Sequence, residues 1–112
     1  MPQKSKKHFL FVCTAGIQRS PTARDLFRNV ESIKAKSAGV HSLAIKRIRQ
    51  SMIKWADEIF VMSEKNDKHL SILRKRFDLS GKEVHDLDIP DVYPRDDPEL
   101  INILKQKLQQ YL

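Results

Sequence analysis

The sequence predicts an α/β domain in which a parallel, doubly wound sheet carries helices on both faces. Short apolar runs typical of strands buried on both faces alternate with segments whose apolar residues repeat every three or four positions, which gives the order βαβαβαβα. The chain has 112 residues, 40% of them hydrophobic and 31% charged. This size and composition predict one compact domain, residues 1–112, that buries about two-thirds of its unfolded surface.

The amino-terminal half supplies the first two strands and the first helix. A continuous apolar run at Phe9–Val12 predicts a buried strand. Ser20-Pro21 opens a helix over residues 20–30, because proline is tolerated in the first turn and apolar residues follow at helical spacing. Residues 33–37 alternate between apolar and polar side chains and end near Gly39, which predicts the second strand and a turn.

The second half continues the alternation. We expect a helix over residues 48–56, a buried strand at Ile59–Met62 and a third helix over residues 70–77. A fourth strand is predicted at Val84–Ile89, and an apolar stripe over residues 100–111 indicates the last helix. Connections of this kind are right-handed, and ligands in such folds bind beyond the carboxyl ends of the strands. The loops that follow the strands are therefore the places to look for chemistry.

The charge distribution and the cysteine content exclude several classes of protein. Residues 1–82 hold 18 basic and 7 acidic residues, whereas residues 83–99 hold 1 and 7, within a net charge of +7. The single cysteine, Cys13, excludes an intramolecular disulfide and a multi-cysteine zinc site, and a reducing cytoplasm is the expected location. The apolar run at residues 8–13 is too short for a signal peptide or a membrane span, so no membrane association is expected.

The basic residues cluster at Lys4–Lys7, Lys46–Arg49 and Arg74–Arg76. We interpret these clusters as solvated faces that could also attract phosphorylated partners. No aromatic stacking residues lie among them, which argues against a nucleic-acid partner. The four histidines lack metal-ligand spacing and are interpreted as structural or exposed, so no metal site is expected.

The loop after the first strand is the most informative part of the sequence. It begins with the thiol of Cys13, and the guanidinium of Arg19 and the hydroxyl of Ser20 follow just before the helix. Such a loop can direct successive backbone N–H groups at one anion, and the same field stabilises a thiolate. Arginine can hold two phosphate oxygens at once, and the serine hydroxyl can donate a hydrogen bond to the sulfur. The alternative is that Cys13 is an inert, buried residue at a strand end. The predicted phosphate-binding residues are Thr14, Ala15, Gly16, Ile17, Gln18, Arg19 and Ser20.

These residues resemble the low-molecular-weight protein tyrosine phosphatases, whose signature is a Cys-x5-Arg-Ser loop followed by Pro-Thr-Ala. The segment from Cys13 to Ala23 matches that signature. Three later segments also match, in the same order: Ser37–Gly39, Trp55–Met62 and Ile89–Tyr93. The resemblance spans about residues 8–104.

The resemblance implies a flavodoxin-like sheet of order 2-1-3-4 and a phosphomonoester hydrolase of the cysteine-dependent phosphatase type. Cys13 would attack phosphorus and form a phosphocysteine, while Arg19 and the loop amides hold the other phosphate oxygens. Asp91 would protonate the leaving oxygen and then activate the hydrolytic water. No metal or cofactor is required, and a phosphotyrosine protein or a small aryl phosphate would be the substrate.

Asp91 and Tyr93 each have an alternative interpretation. Asp88 and Asp96 lie near Asp91, and any of these carboxylates could be a solvated surface charge. Asp97 is more simply explained as the cap of the last helix, because Pro98 follows it. Tyr93 matches an aromatic position that walls the substrate cleft in the family, but it could equally be a packing residue.

The loop interior departs from the family pattern and keeps other functions open. Ala15-Gly16 replaces the usual Gly-Asn, and Gln18 stands where many members have a second cysteine. Val92 replaces the usual proline, and residues 41–49 contain no aromatic residue. A catalytically silent module that binds phosphate or a phosphoprotein is therefore the main alternative. An arsenate reductase is disfavoured, since its chemistry needs further cysteines. The sequence does not indicate an oligomeric state.

Overall fold

Four parallel strands form the sheet, in the order β2-β1-β3-β4. The computed structural model describes residues 6–14, 19–44 and 46–112, apart from the side chains of residues 66 and 67. The predicted sheet of order 2-1-3-4 is confirmed. Because the strands are parallel, their carboxyl ends share one edge of the sheet. The strands are β1 Lys7–Cys13, β2 Ile33–Gly39, β3 Glu58–Val61 and β4 Glu83–Asp86.

Helices connect the strands and close the chain. They are α1 Arg19–Asp25, α2 Gln50–Trp55, α3 Glu64–Asp67, α4 His69–Arg76, α5 Pro98–Leu108 and a terminal 3-10 helix Gln109–Tyr111. The predicted cap of the last helix is confirmed, because the Asp97 carboxylate accepts a hydrogen bond of 2.8 Å from the backbone N–H of Glu99.

Alternate residues of β1 enter two separate apolar cores. Phe9 and Phe11 lie in the core beneath α1 and α5, whereas Leu10 and Val12 lie in the core beneath α2 and α4. All four side chains are fully buried. The strand is apolar at consecutive positions because both of its faces are buried. The two cores confirm that helices cover both faces of the sheet.

The first helix and the fourth strand both end earlier than the sequence predicts. The first helix ends at Asp25 instead of continuing to residue 30, because residues 26–28 form tighter turns in which each N–H bonds three residues back. The fourth strand ends at Asp86, because Asp88 adopts a left-handed backbone with φ +53°. Leu87 and Ile89 still donate backbone hydrogen bonds to Val61 and Met62 and remain buried.

The one-turn helix α3 was not predicted, and Tyr111 belongs to the 3-10 helix instead of the last α-helix. In the parts of the chain that the structure describes, no helix is long and apolar enough to cross a bilayer.

Candidate active site

The sulfur of Cys13 lies at the carboxyl edge of the sheet, at the end of β1. The residue is 3% exposed, and its Sγ lies 2.9 Å from Oγ of Ser20 in α1. The Ser20 hydroxyl also lies 3.4 Å from the carbonyl oxygen of Ala38. The sulfur is therefore buried beside a hydroxyl that can donate to a thiolate.

Arg19 is the first residue of α1 and is 1% exposed. Its Nη1 donates a hydrogen bond of 2.8 Å to the carbonyl oxygen of Ile89, and its Nε lies 3.7 Å from Oδ1 of Asp91. The guanidinium thus points inward and links the start of α1 to the segment after β4. The contact joins two residues that sequence analysis assigned to one site from opposite ends of the chain.

Asp91 follows β4 at the same edge of the sheet as Cys13, and its side chain is 46% exposed. Its rivals lie in other settings. The Asp96 carboxylate is 60% exposed and lies 3.8 Å from Nε of Arg95, and Asp97 caps α5. The structure thus shows Asp91 in an ion pair with Arg19.

The segment that carries Asp91 is anchored to α1. Thr22, which is 1% exposed, accepts a hydrogen bond of 2.9 Å at its Oγ1 from the backbone N–H of Asp96. Arg95 donates from Nη2 to Oδ2 of Asp25 at 3.0 Å. Sequence analysis assigned Thr22 only to the motif and did not assign Arg95 or Asp25 to the site. Both contacts tie the residues that follow Asp91 along the chain to α1.

Three arginines surround the Asp25 carboxylate. Partial burial alone would raise the pKa of Asp25, but hydrogen bonds from Arg95 and Arg24, with the charges of Arg24 and Arg28, hold the pKa below its ordinary value of 3.8. The ionised form is therefore favoured in the folded protein, where it bridges α1 and the segment after β4.

We expect Asp25→Asn to lower the free energy of unfolding by about 1 kcal/mol near neutral pH. The folded pKa lies below the unfolded one, so this contribution is complete above about pH 4 and is lost as the pH falls through the folded pKa. Urea unfolding at about pH 7 and about pH 3 measures the difference. Glu31→Gln, at an exposed acidic residue, is the charge-matched control. An Asp25→Asn deficit that persists undiminished at low pH would contradict this linkage.

A buried histidine also reaches the loop that carries the nucleophile. His69, at the start of α4, is fully buried, and its Nε2 lies 2.9 Å from Oγ1 of Thr14. Its Nδ1 accepts a hydrogen bond of 3.1 Å from the backbone N–H of Ser63. Sequence analysis interpreted the histidines as structural or exposed. It did not predict this contact, because residues 14 and 69 come together only in the folded chain.

Of the remaining predicted site residues, the structure describes Tyr93 and Thr14. Tyr93 is half-buried and packs against the core that contains Cys13. Thr14 accepts a hydrogen bond from the backbone N–H of His41 at its carbonyl oxygen. The predicted phosphate-binding residues Ala15, Gly16, Ile17 and Gln18 lie outside the described residues.

Two of the basic clusters meet in the folded chain. Arg47, Arg49 and Arg76 line one pocket of about 500 Å³ with Ile48 and Phe77. Nη1 of Arg76 donates a hydrogen bond of 2.7 Å to the carbonyl oxygen of Val40. Basic residues of the clusters at residues 46–49 and 74–76 therefore lie around one pocket.

Solved structures of phosphatases share this architecture over nearly the whole chain. Wzb from Vibrio vulnificus, in complex with benzylphosphonate, is 19% identical and has a TM-score of 0.73, with 96% of this chain and 97% of that chain covered. The low-molecular-weight protein tyrosine phosphatase SP-PTP from Streptococcus pyogenes is 19% identical, with a TM-score of 0.72 and coverages of 95% and 91%. YwlE arginine phosphatase from Geobacillus stearothermophilus is 23% identical, with a TM-score of 0.59 and coverages of 94% and 94%.

No protein-family model and no curated protein matches this sequence. The likeness is therefore one of backbone architecture, and it covers almost all of each structure compared. The strand order and the helices on both faces agree with it. The chain has the α/β fold of the low-molecular-weight protein tyrosine phosphatases.

Proposed function

We propose that this protein is a cysteine-dependent phosphatase of the protein tyrosine phosphatase type that hydrolyses phosphomonoesters without a metal ion. The observation that carries the proposal is the contact between Arg19 and Asp91. A buried guanidinium from the start of α1 meets a half-exposed carboxylate from the segment after β4, and Ser20, the next residue along α1, contacts the Cys13 sulfur. These contacts support the proposal that Cys13 is the nucleophile, Arg19 the phosphate-binding arginine and Asp91 the acid.

The first half-reaction transfers the phosphoryl group to sulfur. The Cys13 thiolate attacks phosphorus and forms the S–P bond, while the bond from phosphorus to the ester oxygen breaks. Asp91 gives its proton to the departing oxygen, so an alcohol or phenol leaves. Arg19 and the backbone amides of residues 14–20 hold the remaining phosphate oxygens.

The second half-reaction returns the enzyme to its starting state. The Asp91 carboxylate takes a proton from a water molecule, whose oxygen attacks phosphorus as the S–P bond breaks. The bonding electrons stay on sulfur, where the Ser20 hydroxyl, 2.9 Å away, can donate a hydrogen bond to the re-formed thiolate. Inorganic phosphate is the second product.

A phosphotyrosine protein or a small aryl phosphate is the proposed substrate, with Tyr93 as the proposed cleft wall. The proposed catalytic unit is one domain, residues 1–112, acting in a reducing compartment such as the cytoplasm that keeps Cys13 a thiol. The test is hydrolysis of p-nitrophenyl phosphate, phosphotyrosine and phosphoarginine in EDTA. Phosphoarginine is included because one protein of this fold is an arginine phosphatase. Turnover of p-nitrophenyl phosphate in EDTA supports the proposal.

A silent phosphate-binding module is the second candidate, and the burial of Cys13 favours it. At 3% exposure, the sulfur lies in the same apolar core as Phe11 and Leu100. A thiol held this way could stabilise the loop without reacting. Orthovanadate binding in the absence of any turnover would indicate this module in place of the enzyme.

We expect Asp91→Asn to lower kcat by about 10²–10⁴-fold for poor leaving groups such as alkyl phosphates. The loss should be much smaller for p-nitrophenyl phosphate, whose leaving oxygen needs little protonation. Steady-state kinetics across a series of phenyl phosphates of differing leaving-group pKa measures the dependence.

Asp96→Asn is the matched control for this series. The side chain of Asp96 is 60% exposed, and asparagine tolerates the left-handed backbone at this position, φ +62°. We expect Asp96→Asn to keep the wild-type dependence on the leaving group. The assignment of Asp91 as the acid is rejected if Asp91→Asn lowers kcat equally for good and poor leaving groups.

A further inference from the structure

His69 is a buried ionisable residue that the proposed reaction does not use. It lies between the end of β3 and the residue that follows the nucleophile, and none of its side chain is exposed. The residue before it, Lys68, adopts a left-handed backbone with φ +54° and ψ +34°. A non-glycine residue holds this conformation only where its surroundings demand it. The backbone is therefore strained at Lys68, directly before His69.

The hydrogen bond from Ser63 to the imidazole assigns its proton. The backbone N–H of Ser63 can only donate, so Nδ1 of His69 must accept and carries no proton. In the neutral ring the proton is then on Nε2, which donates to Oγ1 of Thr14 at 2.9 Å. The ring thus joins Ser63, which follows β3, to Thr14.

Thr14 is consequently held at two points. His69 holds its hydroxyl, and the backbone N–H of His41 donates to its carbonyl oxygen at 2.9 Å. The carbonyl oxygen of Cys13 accepts a similar bond, of 2.9 Å, from the N–H of Val40. The backbone at residues 13 and 14 is thereby tied to the residues that follow β2, and the Thr14 side chain is tied through His69 to Ser63, which follows β3.

We propose that His69 is a positioning residue for the nucleophile, which acts by fixing Thr14 at the start of the phosphate-binding loop. This inference rests on the proposed phosphatase function. Displacement of reacting groups by about 1 Å can cost about 100-fold in rate, so a hydrogen bond that fixes the first loop residue affects the chemical step. Its loss is expected to lower kcat more than it changes KM.

The two ring nitrogens allow a structural role to be separated from the positioning role. His69→Asn retains an amide oxygen near the place of Nδ1, which can accept from Ser63, but it is too short to reach Thr14. His69→Gln places a donor farther out, toward Thr14, and gives up the acceptor for Ser63. Thr14→Val removes the hydroxyl from the other side of the same contact with little change in shape. Thr14→Ser keeps the hydroxyl and should lose less activity than Thr14→Val.

The experiment is a double-mutant cycle on p-nitrophenyl phosphate turnover, with urea unfolding of every variant. We expect His69→Asn and Thr14→Val each to lower kcat by about 10–100-fold. The variant carrying both changes should be no slower than the slower single variant, because both remove one bond. His69→Gln should be less stable than His69→Asn but have the higher kcat.

Two results would overturn the proposal: kcat effects that multiply in the double variant, or a His69→Asn kcat within about twofold of the wild type. Should His69→Asn fail to fold, Thr14→Val and Thr14→Ser still test the contact from the loop side. Failure of the phosphatase function is distinguishable, because the wild type would then show no turnover. The same cycle is in that case measured as affinity for orthovanadate by calorimetry. Coupled losses would support the His69–Thr14 contact, and independent losses or no vanadate binding by the wild type would reject it.

Discussion

Cys13→Ser is expected to lower aryl phosphate turnover by at least about 10⁴-fold while orthovanadate binding persists. Serine is nearly the size of cysteine, so the buried site next to Ser20 should keep its shape. A serine hydroxyl, however, is not ionised near neutral pH and forms no phosphoenzyme without a base beside it. Steady-state kinetics of the two proteins, together with vanadate titration by calorimetry, measures both effects.

The same pair of proteins distinguishes the enzyme from the silent module. Rapid acid quenching of the wild type with substrate should trap one phosphoryl group on the chain, detected by mass spectrometry, and Cys13→Ser should trap none. Arg28→Ala, purified in the same way, controls for contaminating phosphatases, since the Arg28 side chain is 70% exposed. Wild-type turnover by Cys13→Ser would reject the phosphocysteine mechanism.

The fold was largely predictable from the sequence because each strand carries its own signal. A strand covered on both faces must be apolar at consecutive positions, as Phe9–Val12 is, and this pattern predicted the doubly wound sheet. Boundaries were less predictable. Leu26 and Phe27 face the core whether the chain continues as an α-helix or as tighter turns, so apolar spacing alone could not locate the end of α1.

The end of β4 was obscured for a similar reason. Leu87 and Ile89 keep the alternation of a strand and still bond to the residues after β3, but Asp88 between them is left-handed. Aspartate tolerates that conformation better than most residues, which is a weak signal in a single sequence. The turn at Asp88 directly precedes the segment in which the Asp91 carboxylate contacts the Arg19 guanidinium.

The proposed catalytic residues were visible in the sequence, whereas their supports were not. Cys13 ends β1, Arg19 begins the helix that follows β1, and Asp91 lies in the segment that follows β4, on the side of the sheet where chemistry is expected in this fold class. His69 and Arg95 act through partners 55 and 70 residues away, respectively. Contacts of that kind depend on how helices and loops pack, and no local pattern encodes them.

Arg19→Ala is expected to lower kcat/KM by about 10³–10⁵-fold and to weaken orthovanadate binding. Arg19 is 1% exposed, and its guanidinium contacts both the carbonyl oxygen of Ile89 and the carboxylate of Asp91. Removal of the side chain therefore takes away a phosphate-binding fork and the positive charge facing the proposed acid. Kinetics and vanadate calorimetry at one pH measure the two losses.

Arg19→Lys separates charge from geometry. Lysine keeps one positive charge but lacks the planar set of N–H donors that arginine offers to the Ile89 carbonyl oxygen and to two phosphate oxygens at once. We therefore expect Arg19→Lys to recover only a small part of the activity that Arg19→Ala loses. Urea unfolding of Arg19→Ala and Arg19→Lys checks that the buried site has not collapsed. Arg28→Ala, at a largely exposed side chain, controls for the positive charge that Arg19→Ala loses. If Arg19→Lys matched the wild type in kcat/KM and in vanadate affinity, bidentate recognition by Arg19 would be wrong, and the contact with Asp91 would be a structural ion pair.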